Sequence, residues 1–589
     1  MLYELRMHHK YSVANWEGVR HFQEDELQDA NGIRTSDQVR SLRVPGAFYK
    51  GRAGSIDIKP VPSIMGRSIS DDASLALPLL KGWLNTCLSD HDNCHNTIKN
   101  PVALPTRVID VESFQGSKDV RLTLGNGRQE PYLALSHRWG DPKKIPQTMT
   151  KNFQDHLARI SFATLPKSFQ DAVVVARVLQ VRFIWIDSLC IIQDSIADWE
   201  QEASRMSGIY KGSLVTIGSA CAEDATGGFL HPRPHVYSCT LSPLFDHLSV
   251  RPIRDAAKPF NIQDPSSTTL GRSYTCLPDY EPLNSRAWCL QESILPTRMV
   301  WFTLPQLYWS CNTLQTAEGE QQTTTHSSSF EAELKLQHIQ YSATPMRMWI
   351  RTIEDFSTRN LTKISDKLPS ISGIAREFHS VFNDTTYVAG LWSHDFHRSL
   401  VWQGAQTTKQ VKPYRSPTWS WAACDGPLKW DQTSDLLTAV SSDLDLIVTD
   451  WHVDLSNTSN PFGQVTGGHL DIDAVCFAAT YVVDYRPDSF GWEWSIAGWD
   501  KRHLDRSEFD HQRRRVFSGD FILVRVAAWT RDDWDRDNNK FQVPYVAYLI
   551  VEPCSEKEYQ RVGMAWADGS WVASPKQASF SLKFKASKL

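Results

Sequence analysis

Tyr132-Leu-Ala-Leu-Ser-His-Arg-Trp-Gly140 is a short apolar run that stops abruptly in polar side chains. Val181-Arg-Phe-Ile-Trp-Ile-Asp187 repeats the plan and ends in an acid, and Leu214-Val-Thr-Ile-Gly218 is a third such run. Two segments at helical spacing separate them. The first starts at Thr164-Leu-Pro-Lys-Ser168, with Pro166 near its first turn, and aligns Phe169, Ala172, Val173, Ala176 and Leu179 on one face. The second runs from Asp198 to Lys211. Strands alternating with helices predict an α/β core. Val181–Asp187 is apolar on both faces apart from Arg182, the pattern of a parallel strand covered by helices. Ligands of such sheets bind beyond the carboxyl ends of the strands. That rule puts Ser136 and His137 at one such end and Asp187 at another.

The surrounding composition narrows the function class. The chain has 589 residues, 41% hydrophobic and 22% charged, ordinary values for a globular protein with a sizeable core. A formal net charge of -5 gives no electrostatic footprint for nucleic acid or an anionic membrane. The N-terminal Met1-Leu-Tyr-Glu-Leu-Arg-Met-His-His-Lys10 has no apolar core of a signal peptide. No run approaches the roughly 18 apolar residues of a membrane span. The 11 cysteines are irregularly spaced and odd in number, which argues for reduced thiols and a cytoplasmic protein rather than a disulfide framework. The 22 tryptophans imply a large, partly polar interior, because each buried indole needs a partner for its N–H.

Outward from the core the chain divides into four stretches. Residues 1–100 are an irregular leader, broken by glycines and prolines up to about 75, followed by a helix over 76–97. Residues 101–315 hold the α/β core. It is entered by two strands, Pro105–Val111 and Val120–Leu124, and closed by a strand pair, 298–302 and 306–311, with a compact helix over 284–294 before it. A stretch rich in proline and serine after Gly227-Gly-Phe-Leu230 reads as an insertion or edge element. Gln315–Ser329 is polar and low in complexity and reads as a loop or linker. Residues 316–410 are otherwise helical in pattern, and 411–589 are β-rich, with a charged segment at Asp500–Arg515. No internal repeat is visible.

Glu202 is the sharpest single residue. Trp199, Glu202, Met206 and Ile209 share one helix face, which puts a carboxylate inside an apolar stripe. Such an acid is either held by a cation, Arg138 or Arg182, or kept for chemistry. Asp187 reads first as a strand-end cap and second as a ligand contact. Ser136-His137 is no nucleophile motif, since it lacks the Gly-x-Ser-x-Gly elbow and adjacent strand residues face opposite ways. Cys190 sits among apolar neighbours and reads as an inert thiol. Trp288 and Glu292, at i,i+4, read as structural. There is no P-loop and no GxGxxG, which excludes ordinary nucleotide kinases, GTPases and dehydrogenases. Cys87, His91, Cys94 and His95 are candidate zinc ligands, yet their spacing fits no standard pattern and no second Cys/His pair follows. Packing at a helix end is therefore preferred, and no metal or cofactor is expected.

Three blocks together resemble the fungal heterokaryon-incompatibility (HET) domain. The first is Tyr132–Gly140, similar to the family's "Y-x-x-L-S-Y-x-W-G" with His137 in place of the tyrosine. The second runs from Leu165-Pro-Lys-Ser-Phe-Gln-Asp-Ala172 through Trp185–Asp194 to Asp198–Tyr210. The third is Ser285-Arg-Ala-Trp-Cys-Leu-Gln-Glu292 with Pro296-Thr-Arg298. Flanking pieces, Trp83 to Cys94, Asp366-Lys-Leu368, Gly390-Leu-Trp392 and Pro417-Thr-Trp-Ser-Trp421, also look like the family's larger proteins. The resemblance implies a fungal, cytoplasmic protein of nonself recognition and programmed cell death. Its HET core would be a distantly TIR-like parallel sheet with helical flanks and a β-rich C-terminal region. Protein partners and self-association are implied, with no nucleic acid and no membrane span.

The alternative is an NAD glycohydrolase. Asp198-Trp-Glu-Gln-Glu202 resembles the helix glutamate of NAD-cleaving TIR domains, with a Trp-to-Glu spacing shorter by one residue. On that reading NAD is substrate, Glu202 is the candidate catalytic group, and Ser136, His137, Arg138, Trp139 and Asp187 are candidate substrate-binding residues. Breaking the nicotinamide–ribose bond passes through an oxocarbenium-like state and releases a neutral base, so one carboxylate suffices.

Overall fold

The computed structural model describes residues 72–94, 102–233, 281–304, 306–318, 345–382, 384–404, 408–411, 414–430, 446–482, 520–534, 540–554, 558–568 and 576–583. It adds short strands at 3–6, 57–60, 239–240, 249–250, 495–496 and 501–504. Apart from those strands, the leader before residue 72 and the stretch rich in proline and serine lie outside these residues, as do most of the polar loop and His95. The chain forms two compact units. One is Met1–Trp199 with Ile209–Asn284 and Pro296–Glu333; the other is Glu200–Gly208 with Ser285–Leu295 and Leu334–Leu589.

The first unit is organised by one mixed sheet. Helix α1 (Leu77–Asp90) comes first and buries Leu77, Leu80, Trp83, Leu84 and Cys87. The strands are β1 (Arg107–Asp110), β2 (Arg121–Leu124), β3 (Tyr132–Ser136), β4 (Phe183–Trp185), β5 (Val215–Gly218), β6 (Arg298–Phe302), β7 (Leu307–Cys311) and β8 (Gln315–Ala317). Their order across the sheet is β8-β7-β6-β5-β3-β4-β1-β2. The four middle strands, β6, β5, β3 and β4, run parallel, and the strands at both edges are antiparallel. Helix α2 (Lys167–Val178) connects β3 to β4, and α3 (Ile196–Gly212) lies between β4 and β5. The chain is thus α/β, as its alternating pattern predicts.

Two local readings shift. The run Val181–Asp187 yields a strand of only three residues. Gln180 turns with φ of 60°, and the Val181 N–H bonds back to Ala176 O at 2.9 Å, so the end of α2 claims the first residues. Asp187 opens a one-turn helix, Asp187–Cys190, which claims the last. Gln315–Ala317, expected as the start of a polar loop, instead pairs with β7 and buries Thr316 and Ala317. The core is closed by aromatic hydroxyls that find backbone acceptors: Tyr132 Oη donates to Ile209 O at 2.6 Å.

The second unit contains α4 (Trp288–Ile294), α5 (Pro345–Ser357) and α6 (Ser372–His379). Trp349 of α5 meets the rings of Phe378 and Trp392 edge-on at 5.3 and 5.5 Å. The segment 316–410, expected to be helical, is interrupted by the strand pair Tyr387–Val388 and Leu391–Trp392 before a last short helix, Phe396–Leu400. The β-rich region forms an antiparallel sheet of β9 (Leu446–Leu455), β10 (Val465–Val482), β11 (Lys501–Leu504), β12 (Asp520–Trp534), β13 (Lys540–Pro553), β14 (Tyr559–Asp568) and β15 (Lys576–Lys583). The order is β9-β10-β12-β13-β14-β11, with β15 also on β10. Buried Arg561 of β14 stacks over Trp402 at 3.5 Å and donates to the carbonyls of Leu400 and Trp402. Among the described residues no helix is long and apolar enough to cross a membrane.

Candidate functional site

The parallel strands reverse direction of travel around β3. From β3 the chain moves through α2 to β4 on one side, whereas from β5 it moves on to β6 on the other. The carboxyl ends of β3 and β5 therefore flank a topological switch point, the place where open α/β sheets bind ligands. Ser136 and Gly218 are partners in register there, and the Ser219 N–H donates to Ser136 O at 2.9 Å. A side chain at Gly218 would meet Met299 and Trp301 at under 3 Å, so this strand end stays small.

His137 follows β3 and is buried, with the Phe169 ring set edge-on at 4.9 Å. Its Nε2 lies 3.8 Å from Asp187 Oδ1, close enough for electrostatic pairing and too long for a direct hydrogen bond. The Asp187 carboxylate is held from two sides. Trp139 Nε1 donates to Oδ2 at 2.7 Å and the Ser188 N–H donates to Oδ1 at 2.7 Å. Ser136, His137, Trp139 and Asp187 thus gather at adjacent strand ends. Arg138 turns outward and pairs with Glu223 at 2.9 Å on the surface.

Sequence reasoning missed three polar residues beside them. Ser168 opens α2, is fully buried, and has its Oγ 3.5 Å from Ser219 Oγ. Asp171, also buried, accepts the Phe229 and Leu230 N–H groups at 2.8 and 2.9 Å and pairs with Lys167. This ties the Gly227–Leu230 loop to the first turns of α2. Gly228 makes the approach feasible: its φ is +72°, and a Cβ there would lie 2.3 Å from Lys167 Cγ. The signal available in the sequence was Gly227-Gly228 after β5 and an acid in the otherwise apolar face of α2.

The described residues also hold two groups of potential metal ligands. Asp450, His469 and Asp471 lie at the surface of β9 and β10. Cys87, His91, Cys94 and Cys311 converge at the end of α1, with every ligand atom within 4.8 Å of the others. Hydrogen bonding with the Cys311 sulfur pushes the Cys87 thiol far up and holds that of Cys94 far down.

Residues 132–292 match the family model described as Heterokaryon incompatibility protein (HET). No curated protein and no solved structure matched the chain. The HET match begins at the first residue of β3 and includes every residue of the switch-point group. It ends at Glu292 within α4.

Within the HET match, Asp198 and Glu202 do different work. Asp198 belongs to the first unit and receives a fork from Arg107, whose Nη2 lies 2.7 and 2.6 Å from its two oxygens. Arg107 Nε also donates to Cys190 O at 2.6 Å, and the Ile192 N–H donates to Asp198 at 2.8 Å. Cys190 is buried in this frame. Glu202 is counted with the second unit, where its side chain is buried and pairs with Arg205 at 3.5 Å. The two cations expected beside it have partners of their own: Arg138 pairs with Glu223, and Arg182 forms a fork on Asp110 at 3.0 and 2.8 Å. Met206 and Ile209 of the predicted stripe are buried, and Trp199 is half-buried. Trp288 donates its indole N–H to Asp366 at 3.2 Å, a structural role, while Asp366 is pushed above its ordinary range by burial.

Proposed function

We infer that the function is of the heterokaryon-incompatibility type, which the HET match over residues 132–292 supports. We propose that the protein is a nonself-recognition factor whose activation leads to programmed cell death. The HET-matching segment works through assembly and partner contacts, and the β-rich region serves as the regulatory or sensing module. The observation that carries this reading is the gathering of Ser136, His137, Trp139 and Asp187 at the carboxyl ends of β3 and β4, next to the switch point and inside the HET match. Buried polar groups at strand ends carry a desolvation cost and are retained where they are hydrogen-bonded or used. The test is inducible expression of the full chain in a filamentous fungus. Arrest or death of the expressing cells is the expected result, and unaffected growth at confirmed protein levels contradicts the proposal.

A second reading, NAD cleavage by Glu202, is favoured by one observation. The Glu202 side chain is buried within the HET match, and its ion pair at 3.5 Å is with Arg205, a side chain half in solvent. A carboxylate in such a setting can stabilise an oxocarbenium-like ribose or activate water. Purified protein at high concentration should then release nicotinamide from NAD, and Glu202→Gln should abolish the release. Equal turnover in both proteins, or none in either, removes this reading and leaves the first intact.

A further inference from the structure

Three cysteines and one histidine from distant parts of the chain meet where α1 ends against β7. Cys87 lies in the last turn of α1, His91 is its C-cap, Cys94 ends the 3-10 turn that follows, and Cys311 is the last residue of β7. His91 and Cys311 are 220 residues apart, with Cys311 Sγ 3.3 Å from His91 Nδ1. All four ligand atoms lie within 4.8 Å of one another. A tetrahedral zinc with Zn–S of about 2.3 Å and Zn–N of about 2.0 Å sets its ligands roughly 3.5–3.8 Å apart. The observed cluster is therefore close to the size that a single ion would draw together.

The surroundings suit a thiolate-rich centre. Arg298 Nε donates to Cys87 Sγ at 3.2 Å, and the Leu314 N–H donates to Cys311 Sγ at 3.3 Å. Thr313 Oγ1 lies 3.6 Å from Cys94 Sγ. Each sulfur thus has a hydrogen-bonding neighbour that orients it, as outer partners do in metal sites. Arg298 is fully buried and also donates to Cys94 O at 2.7 Å. Three thiolates, a neutral imidazole and a zinc(II) ion sum to a charge of minus one, which the guanidinium offsets.

We propose that Cys87, His91, Cys94 and Cys311 bind a structural zinc ion. Binding displaces the thiol protons to water, forms three Zn–S bonds and one Zn–N bond, and involves no redox change. Four protein ligands leave no open position, so the ion acts as a staple and not as a catalyst. It fastens the end of α1 to β7, the second strand from the sheet edge, beside the tilted Trp83–Trp309 pair at 6.3 Å. The all-nitrogen-and-sulfur donor set selects zinc over magnesium or calcium, which take oxygen ligands.

The test is the metal content of the full chain, purified under reducing conditions from zinc-replete cells without a metal-binding tag or chelator. The expected result is one zinc per chain, released stoichiometrically when an organomercurial titrates the thiols. Cobalt(II) exchanged into the site should show thiolate-to-cobalt charge transfer and intense tetrahedral ligand-field bands. Cys311→Ser should lose the metal, whereas Cys554→Ser, at an exposed cysteine, should retain it. If Cys311→Ser does not fold, the metal content and cobalt spectrum of the unmodified chain decide. A folded chain with negligible zinc and no cobalt uptake overturns the proposal. So does a disulfide among these cysteines in protein isolated from the reducing cytosol under thiol-blocking conditions.

Discussion

The Trp139 indole N–H reaches the Asp187 carboxylate at 2.7 Å and so joins the segment after β3 to the end of β4. The tie fixes the carboxylate beside His137, 3.8 Å away. Trp139→Phe keeps the ring and removes the donor. A hydrogen bond to a charged acceptor contributes about 1.5–3 kcal/mol, and the partial exposure of Asp187 favours the lower end. Thermal unfolding should show a loss near that size, with the Ser188 N–H still holding the other oxygen.

Asp198 should prove a structural acid. Its fork from Arg107 is largely buried, and removing one partner of a buried pair costs about 3–5 kcal/mol because the other charge is stranded. Asp198→Ala is expected to be poorly folded, and a denaturant titration measures the loss. Replacing Arg138, whose partner Glu223 is largely in solvent, should change stability little.

Gly228 carries a steric prediction. Alanine there must adopt a φ of +72° and push aside Lys167 and the Asp171 carboxylate. A loss of about 2 kcal/mol is expected, larger than the strain of a left-handed residue alone. Limited proteolysis should find the Gly227–Leu230 loop cut sooner.

Lys367 gives the second unit a pH dependence of known sign. Burial pushes its ammonium down from 10.5 to about 8, against the opposing pull of Asp425. Below about pH 8 both folded and unfolded chains carry the proton, and the folded state bears the full penalty. Between about 8 and 10.5 only the unfolded chain retains it, so stability rises with pH across that window. Lys367→Met should flatten this rise and stabilise the unit at pH 7, with Asp425 still held by Arg415 at 2.8 Å. Unfolding followed at several pH values checks both statements.

Much of the core was legible because its signals are local. Alternating strands and helices gave the α/β class, the apolar runs at Tyr132 and Leu214 became parallel neighbours, and Glu202, Met206 and Ile209 of the helix stripe are buried where their period placed them. What failed was the choice of partners. Arg182 sits beside an apolar strand in sequence, yet Asp110 comes to it from an adjacent antiparallel strand. Cys311 reaches Cys87, His91 and Cys94 only because β7 packs against α1, a contact that spacing along the chain does not encode. The hydroxyls of Ser168 and Ser219 are likewise unremarkable in sequence and adjacent only in the fold.

The most direct test of the HET-type account compares the full chain with its His137→Gln and Asp187→Asn variants in a competent fungal host, matched for soluble protein. The account predicts that the unmodified chain arrests growth and that both variants, at equal abundance, do not. Variants as toxic as the unmodified chain would contradict a role for the strand-end group, and an unmodified chain without effect would contradict the function itself.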